Sequence, residues 1–280
     1  MKSMQKAMQK AVLLSVLAVA AFSGSAFGSV LYSLEFVTGT GFYTVNQSTG
    51  AETFVGNTGN ASTGDLTSDQ KSKIWTNDMT NDNLLTVNPA TGAITSTVAI
   101  MAPTGAKIPI VSLAYDLVTN SLYGNTAVGF GGTTNDTLYR IDPVTGAATL
   151  IGAIGFNQVY ALGFDKSGTL FGISQTRSAL VKVNTSTGAG ALVAPVTLTA
   201  AYDLAFRPED NKMFVADSDP GTFSLYTMDP TTGVSTLVGP YGANTNLVGL
   251  AFLVPEPGTV GLMLGGLALL GLKARFRRKS

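Results

Sequence analysis

An all-β fold assembled from repeated four-stranded units is what this sequence predicts, and three observations predict it. One turn recurs five times, as Gln47-Ser48-Thr49-Gly50, Pro89-Ala90-Thr91-Gly92, Pro143-Val144-Thr145-Gly146, Thr185-Ser186-Thr187-Gly188 and Pro230-Thr231-Thr232-Gly233. A Leu-small-aromatic segment alternates with it, in Leu113-Ala114-Tyr115, Leu162-Gly163-Phe164, Leu204-Ala205-Phe206 and Leu250-Ala251-Phe252, with Leu66-Thr67-Ser68 as a degenerate fifth copy. The composition, with 32 Gly, 12% charged and 45% apolar residues in 280, fits a β-rich globular body and excludes a disordered or coiled chain.

The turn element is read most easily from Leu138 to Gly152. Tyr139 and Ile141 alternate with Arg140, the period-two pattern of a half-buried strand. Asp142 then opens a turn, as do Asn46, Asn88 and Asn184, because the short side chain accepts from backbone amides just ahead. Pro143 pre-sets φ at the next position, and Gly146 supplies the positive φ that reverses the chain. Thr149-Leu150-Ile151 returns as the second strand of a hairpin.

The Leu-small-aromatic segments each acquire a partner soon after: Ile74-Trp75, Leu122-Tyr123, Leu170-Phe171 and Met213-Phe214-Val215. Each full unit therefore holds four short strands. Its turn glycines are spaced 42, 54, 42 and 45 residues apart, the period of a propeller blade. The body opens at Leu31-Tyr32-Ser33-Leu34, part-way through a unit, and ends at Leu247–Phe252, the first strand of a unit that lacks the rest. The two fragments complement each other, which predicts five blades closed by pairing the last strand with the first, so that no open edge remains. A plain β-sandwich or a different blade count competes with this, since regular short strands alone do not separate them. The longest interval contains a Gly-rich insertion, Ala127 to Asp136, expected as a surface loop. The units resemble the repeats of bacterial secreted β-propellers, a likeness of fold that assigns no activity.

Three regions flank and fill this body: residues 1–28, 29–253 and 254–280. Lys2, Lys6 and Lys10 precede the apolar run from Ala11 to Ala21, and Ala26-Phe27-Gly28 offers small residues for cleavage, the layout of a signal peptide removed by signal peptidase. The run is short for a permanent N-terminal anchor, the competing reading. From Ser29 to Phe252 there are 9 Lys+Arg against 16 Asp+Glu, so an acidic body lies between two basic ends. The basic ends favour retention on the cytoplasmic side while the body crosses, and the acidic body speaks against a nucleic-acid partner. With no Cys and no His, thiol and imidazole nucleophiles and the usual zinc sets are excluded.

The tail reads Val254-Pro255-Glu256-Pro257-Gly258, then an apolar stretch to Leu272, then Lys273, Arg275, Arg277, Arg278 and Lys279. All three parts resemble the PEP-CTERM sorting signal. That resemblance implies a Gram-negative exported protein recognised at Pro255, Glu256 and Pro257 by an exosortase, with the tail removed. The two prolines keep the recognition segment extended. The apolar stretch would make a helix of about 22 Å, short of a roughly 30 Å hydrocarbon core, which suits a transient inner-membrane anchor.

Candidate chemistry is sparse. Asp65 and Asp203 occupy equivalent positions at the start of the innermost strands, where Ser112, Ala161 and Gly249 stand in the other units. Facing the axis, they are candidates to coordinate a cation such as Ca²⁺, although two carboxylates are too few for a defined site. Asp142, Asn184 and Asp229 read as turn residues, and Asp217-Ser218-Asp219-Pro220-Gly221 as a loop without a distal bidentate acid. Tyr115, Phe164, Phe206, Phe252 and Trp75 read as core. No G-x-S-x-G elbow, P-loop or dinucleotide fingerprint occurs. The expectation is a non-catalytic cell-surface or extracellular propeller, without a cofactor, that binds exopolysaccharide or another surface protein in a biofilm matrix. The alternative is a metal-dependent propeller hydrolase of lactonase type using Asp65 and Asp203.

Overall fold

The outer strand of each unit is largely exposed, and burial rises to near-complete on the inner one. In the computed structural model, which describes residues 28–36, 39–129, 135–219, 223–242 and 246–255, Glu52–Asn57 is exposed or half-buried throughout. Thr63–Ser68 and Leu247–Leu253 are buried at every position. The leader, the sorting tail beyond Pro255 and residues 130–134 of the Gly-rich insertion lie outside the described residues.

Twenty strands form five four-stranded sheets among the described residues. Blade 1 contains β1 (Val30–Glu35), β2 (Gly41–Val45) and β3 (Glu52–Asn57), and is completed by β20 (Leu247–Leu253). Blade 2 runs from β4 (Thr63–Ser68) through β5 (Ile74–Asp78) and β6 (Asn83–Val87) to β7 (Ile94–Ala99). Blade 3 comprises β8 (Ser112–Asp116), β9 (Ser121–Thr126), β10 (Thr137–Ile141) and β11 (Ala148–Ala153). Blade 4 comprises β12 (Val159–Phe164), β13 (Leu170–Ser174), β14 (Ala179–Val183) and β15 (Gly190–Pro195). Blade 5 comprises β16 (Ala201–Phe206), β17 (Met213–Asp217), β18 (Ser224–Met228) and β19 (Ser235–Pro240). The inner strands β20, β4, β8, β12 and β16 neighbour one another in a closed ring. The fold is a five-blade propeller.

The ring closes where the two sequence fragments meet. β20 pairs antiparallel with β1, from Val30↔Leu253 to Leu34↔Gly249. The backbone groups of β1 are therefore satisfied on both sides, by β20 and by β2.

The recurrent turns form as their residues dictate. Asp142 Oδ1 accepts from the amides of Val144 at 2.8 Å and Thr145 at 3.0 Å, and Asn46, Asn184 and Asp229 repeat the arrangement. Asn88 accepts from the Ala90 amide at 2.9 Å. The turn glycines have φ between 69° and 82°. Positive φ is only half of what fixes glycine there. A Cβ on Gly146 would lie 2.1 Å from the Ala99 carbonyl oxygen on β7, and one on Gly188 would lie 2.4 Å from that of Gly152 on β11. Gly50 and Gly233 meet the carbonyls of Gly239 and Pro195 at 2.4 Å, and Gly92 packs against Gly56. Every turn is thus seated on the outer strand of the preceding blade, backbone against backbone.

Aromatic pairs join the blades nearer the axis. Trp75 stacks on Tyr115 at 5.2 Å between ring centroids, and Tyr123–Phe164, Phe171–Phe206 and Phe214–Phe252 repeat the contact at the next three interfaces. At the fifth, Ser68 replaces the aromatic and donates from its hydroxyl to the Phe252 carbonyl at 2.6 Å. Of the side chains expected in the core, Trp75, Phe164, Phe206 and Phe252 are buried, whereas Tyr115 is half-buried and packs against the edge of its cluster.

Candidate functional site

Bulges aim two carboxylates at the axis. The β4–β5 register shifts between Thr63 and Leu66, and the β16–β17 register shifts between Ala201 and Asp203. An extra residue in one strand re-aims the side chains beside it. Asp65 and Asp203, from non-adjacent blades, are both fully buried, and their carboxyl groups hydrogen-bond to each other. The structure therefore brings together the two residues that the repeat register singled out.

Their remaining capacity is used by backbone. Asp65 Oδ1 accepts from the Leu66 amide at 2.8 Å, and Oδ2 accepts from the Leu113 amide at 2.5 Å. Asp203 Oδ1 accepts from Leu204 at 2.6 Å, and Oδ2 from Leu250 at 2.5 Å. Leu113 and Leu250 lie on β8 and β20, whose inner edges face the axis and have no further strand to pair with. Each aspartate serves as a piece of ladder for the next blade. Thr67 does the same, its hydroxyl oxygen accepting from the Tyr115 amide at 3.0 Å.

Two carboxyl groups in hydrogen-bond contact need a proton between them. Burial pushes Asp65 up to about 6, against the hydrogen bonds from Asp203 and from the Leu113 and Leu66 amides. Burial raises Asp203 well above the carboxylate range, and the charge of Asp65 raises it further. The contact between them therefore requires one shared proton. Ca²⁺ takes six to eight oxygen ligands, whereas here each carboxyl oxygen already accepts an amide. Among the described residues no three Asp or Glu side chains converge on a point.

Both mouths of the axis are lined by other residues. Phe36, Gly64, Met79, Val111, Tyr160 and Tyr202 close one, with Tyr160 and Tyr202 stacked at 5.7 Å and 6° between planes. Sequence reasoning missed this plug, because Tyr160 and Tyr202 stand at bulges that a period-two reading does not register. At the other mouth is a funnel lined in part by Thr67, Ser68, Gln70 and Tyr115. Missed as well were Asn77 and Asn125, whose amides donate to the carbonyls of Ile110 at 2.7 Å and Val159 at 2.9 Å in the next blade. Their shared register on β5 and β9 was the available signal. Asp136 is a third strut, accepting from Val128 at 2.8 Å and Val159 at 2.7 Å.

Asp217 stands apart from the pair. It accepts from the Ala200 amide at 3.2 Å and is pushed up to about 6 by burial and by Asp219, which itself accepts from the Thr199 hydroxyl at 2.7 Å. Pro255, Glu256 and Pro257 follow β20 after Val254, with Glu256 onward outside the described residues.

Fold and site together define a closed five-blade propeller with a structural carboxyl pair on its axis. A chain from the crystal structure of a nidogen/laminin complex is similar in fold, at TM-score 0.54 and 11% identity, over 80% of this chain and 98% of that one. Hydrazine synthase from Kuenenia stuttgartiensis matches at TM-score 0.44 and 12% identity, over 63% and 49%. No curated protein matches the sequence. Residues 253–279 match the PEP-CTERM protein-sorting motif. The motif indicates an exported protein with a membrane-anchored precursor handled by an exosortase.

Proposed function

We propose that the propeller is a non-catalytic cargo delivered to the cell surface or beyond, where it binds or scaffolds within an exopolysaccharide matrix. The observation that carries this reading is the seat of the sorting motif. The motif begins at residue 253, the last residue of the closing strand, so no further domain separates it from the ring. β1 starts beside it, with Val30 opposite Leu253. The leader and the sorting tail thus join the ring on neighbouring strands, an arrangement suited to a precursor held transiently at the inner membrane through both ends.

Two further observations support a binding role over a catalytic one. The axial carboxylates, on which a hydrolase of lactonase type would depend, are buried and saturated by four backbone amides. The rim carries Phe54, Leu150, Leu192 and Leu237, one large exposed apolar side chain on each of four outer strands. They stand at the same register opposite Tyr43, Tyr139, Val181 and Tyr226, so a repetitive partner would meet the same point of contact on four blades. The test is co-sedimentation of the exported protein with the host's own exopolysaccharide, alongside its thermal unfolding with and without the polymer. Retention with the polymer and a raised unfolding temperature are expected. Free protein in the supernatant and an unchanged temperature would overturn the matrix role.

A further inference from the structure

The first residue of the ring is held by a carboxylate that lacks a committed cation. Ser29 is buried, whereas Gly28 before it is exposed. The Ser29 amide donates to Glu209 Oε1, and its hydroxyl donates to Oε2 at 2.9 Å. Glu209 belongs to the β16–β17 turn of blade 5, so this contact ties the start of blade 1 across the closing seam. Gln47 completes the clamp, its amide donating to the Ser29 carbonyl at 2.5 Å while its Oε1 accepts from Arg207 at 3.1 Å. Arg207 lies over the Phe214 ring at 5.3 Å and is paired with Asp210 at 2.6 Å. Among the described residues that is the one ion pair, and Glu209 has no such partner.

We infer that the leader is cut between Gly28 and Ser29, and that the new α-ammonium of Ser29 is captured by Glu209 as an ion pair that locks the closed ring. The inference rests on the reading of residues 1–28 as a cleaved leader. Water adds across the Gly28–Ser29 amide, leaving a carboxylate on Gly28 of the released segment and an amine on Ser29 that takes up a proton at neutral pH. The amide offered Glu209 one neutral donor. The ammonium offers a full charge at the same place, and charge-assisted bonds are the stronger kind. Ser29 is buried in the closed ring, so the Gly28–Ser29 bond is more open to a peptidase before β1 zips onto β20, and capture then accompanies closure. Processing is thereby coupled to stability: an uncut chain closes with a weaker clamp.

The charged groups at this point are Glu209, Arg207 and Asp210. Burial pushes Glu209 up, but the Ser29 donors and Arg207 outweigh it and hold the carboxyl below its ordinary range. An α-amine has a pKa of about 7.7–8.0 in an unfolded chain, and the facing carboxylate raises it in the fold. The added stability is therefore full below about pH 8 and lost as pH rises through the folded value.

Two measurements test this. The apolar clusters of the described residues are built wholly from residues within 31–253, so the ring can be made without its flanking segments. Rings of residues 29–254 and 28–254 are released from a fusion and melted at pH 6.5 and pH 10, each with and without Glu209→Gln. The Ser29 start is expected to melt higher than the Gly28 start by about 3 °C or more at pH 6.5, given roughly 2–4 °C per kcal/mol for a ring of this size. The difference is expected to vanish at pH 10 and in the Glu209→Gln background. Equal melting at pH 6.5, or a difference that survives Glu209→Gln, would overturn capture. The intact mass of the exported protein is the second measurement, and a start at Ser29 is expected. A different start within the ring's first residues would overturn capture alone, whereas retention of residues 1–28 would overturn the cleaved-leader reading as well.

Discussion

Asp65 and Asp203, carried by β4 and β16, share one proton on the propeller axis while their four oxygens accept the amides of Leu66, Leu113, Leu204 and Leu250. The relationship answers a problem inherent in the architecture. Five inner strands face one another edge-on, and edge amides buried without partners are costly. Two acids, one of them neutral, supply the missing acceptors.

Removing either acid strands two buried amides at about 1–3 kcal/mol each. Asp65→Ala and Asp203→Ala are each expected to lower stability by roughly 2 kcal/mol or more, read from urea unfolding midpoints. The double variant should lose less than the sum, because the shared proton couples the pair. An unchanged midpoint in the single variants would show that the axis closes without them.

Stability should peak at mildly acidic pH. Asp65 and Asp217 are pushed up to about 6, and Asp203 further, so the fold keeps protons that the unfolded chain releases. Stability from these groups is full below about pH 4; the share of Asp65 and Asp217 is lost as pH rises through 6, and that of Asp203 at higher pH. Asp210, drawn down to about 2 by Arg207, and Asp142 and Asp229, drawn down by turn donors, act oppositely and lose their contribution as pH falls below 4. The melting temperature is expected to be highest near pH 4–5, and Asp217→Asn should flatten its decline toward pH 7. A rise in melting temperature from pH 5 to pH 8 would contradict these assignments.

Glycines with the same φ should differ in tolerance according to what they touch. Gly155 has φ of 77° and nothing within 4 Å of the place a Cβ would occupy, whereas Gly188, at 82°, faces the Gly152 carbonyl oxygen at 2.4 Å. Gly155→Ala should cost about 1–2 kcal/mol, the left-handed penalty alone. Gly188→Ala should cost clearly more, since two blades must part to admit the methyl. Equal costs would mean that the seam between blades is compliant.

Calcium should leave the ring unaffected. With each axial carboxyl oxygen already accepting an amide, neither the ion nor a chelator is expected to move the unfolding temperature. A calcium-dependent rise abolished by Asp203→Asn would reopen the hydrolase alternative.

Much of this was legible in the sequence because it is local or periodic. The Asn/Asp-to-Gly turns, the Leu-small-aromatic strands and the complementary ends each follow from residues within one unit, and the fold places them as expected. The equivalence of Asp65 and Asp203 was legible too, being a matter of register. What they do there was not. Their hydrogen-bond partners, Leu113 and Leu250, stand 48 and 47 positions away in the chain and lie on other blades. The bulges that aim them, and that bring Tyr160 onto Tyr202, interrupt the period on which a sequence reading depends.

The sequence by itself determined the repeat, the closure and the sorting motif, since turn chemistry, alternation and a contiguous signal are encoded by neighbours in the chain. Only the tertiary structure decided that the axial acids are closed off by amides, that the turn glycines seat each blade on the preceding one, and that Glu209 meets Ser29 across the seam. Those relationships join residues whose proximity exists only once five sheets are wrapped around one axis, where burial rather than spacing sets the energy of a charge or an unpaired amide.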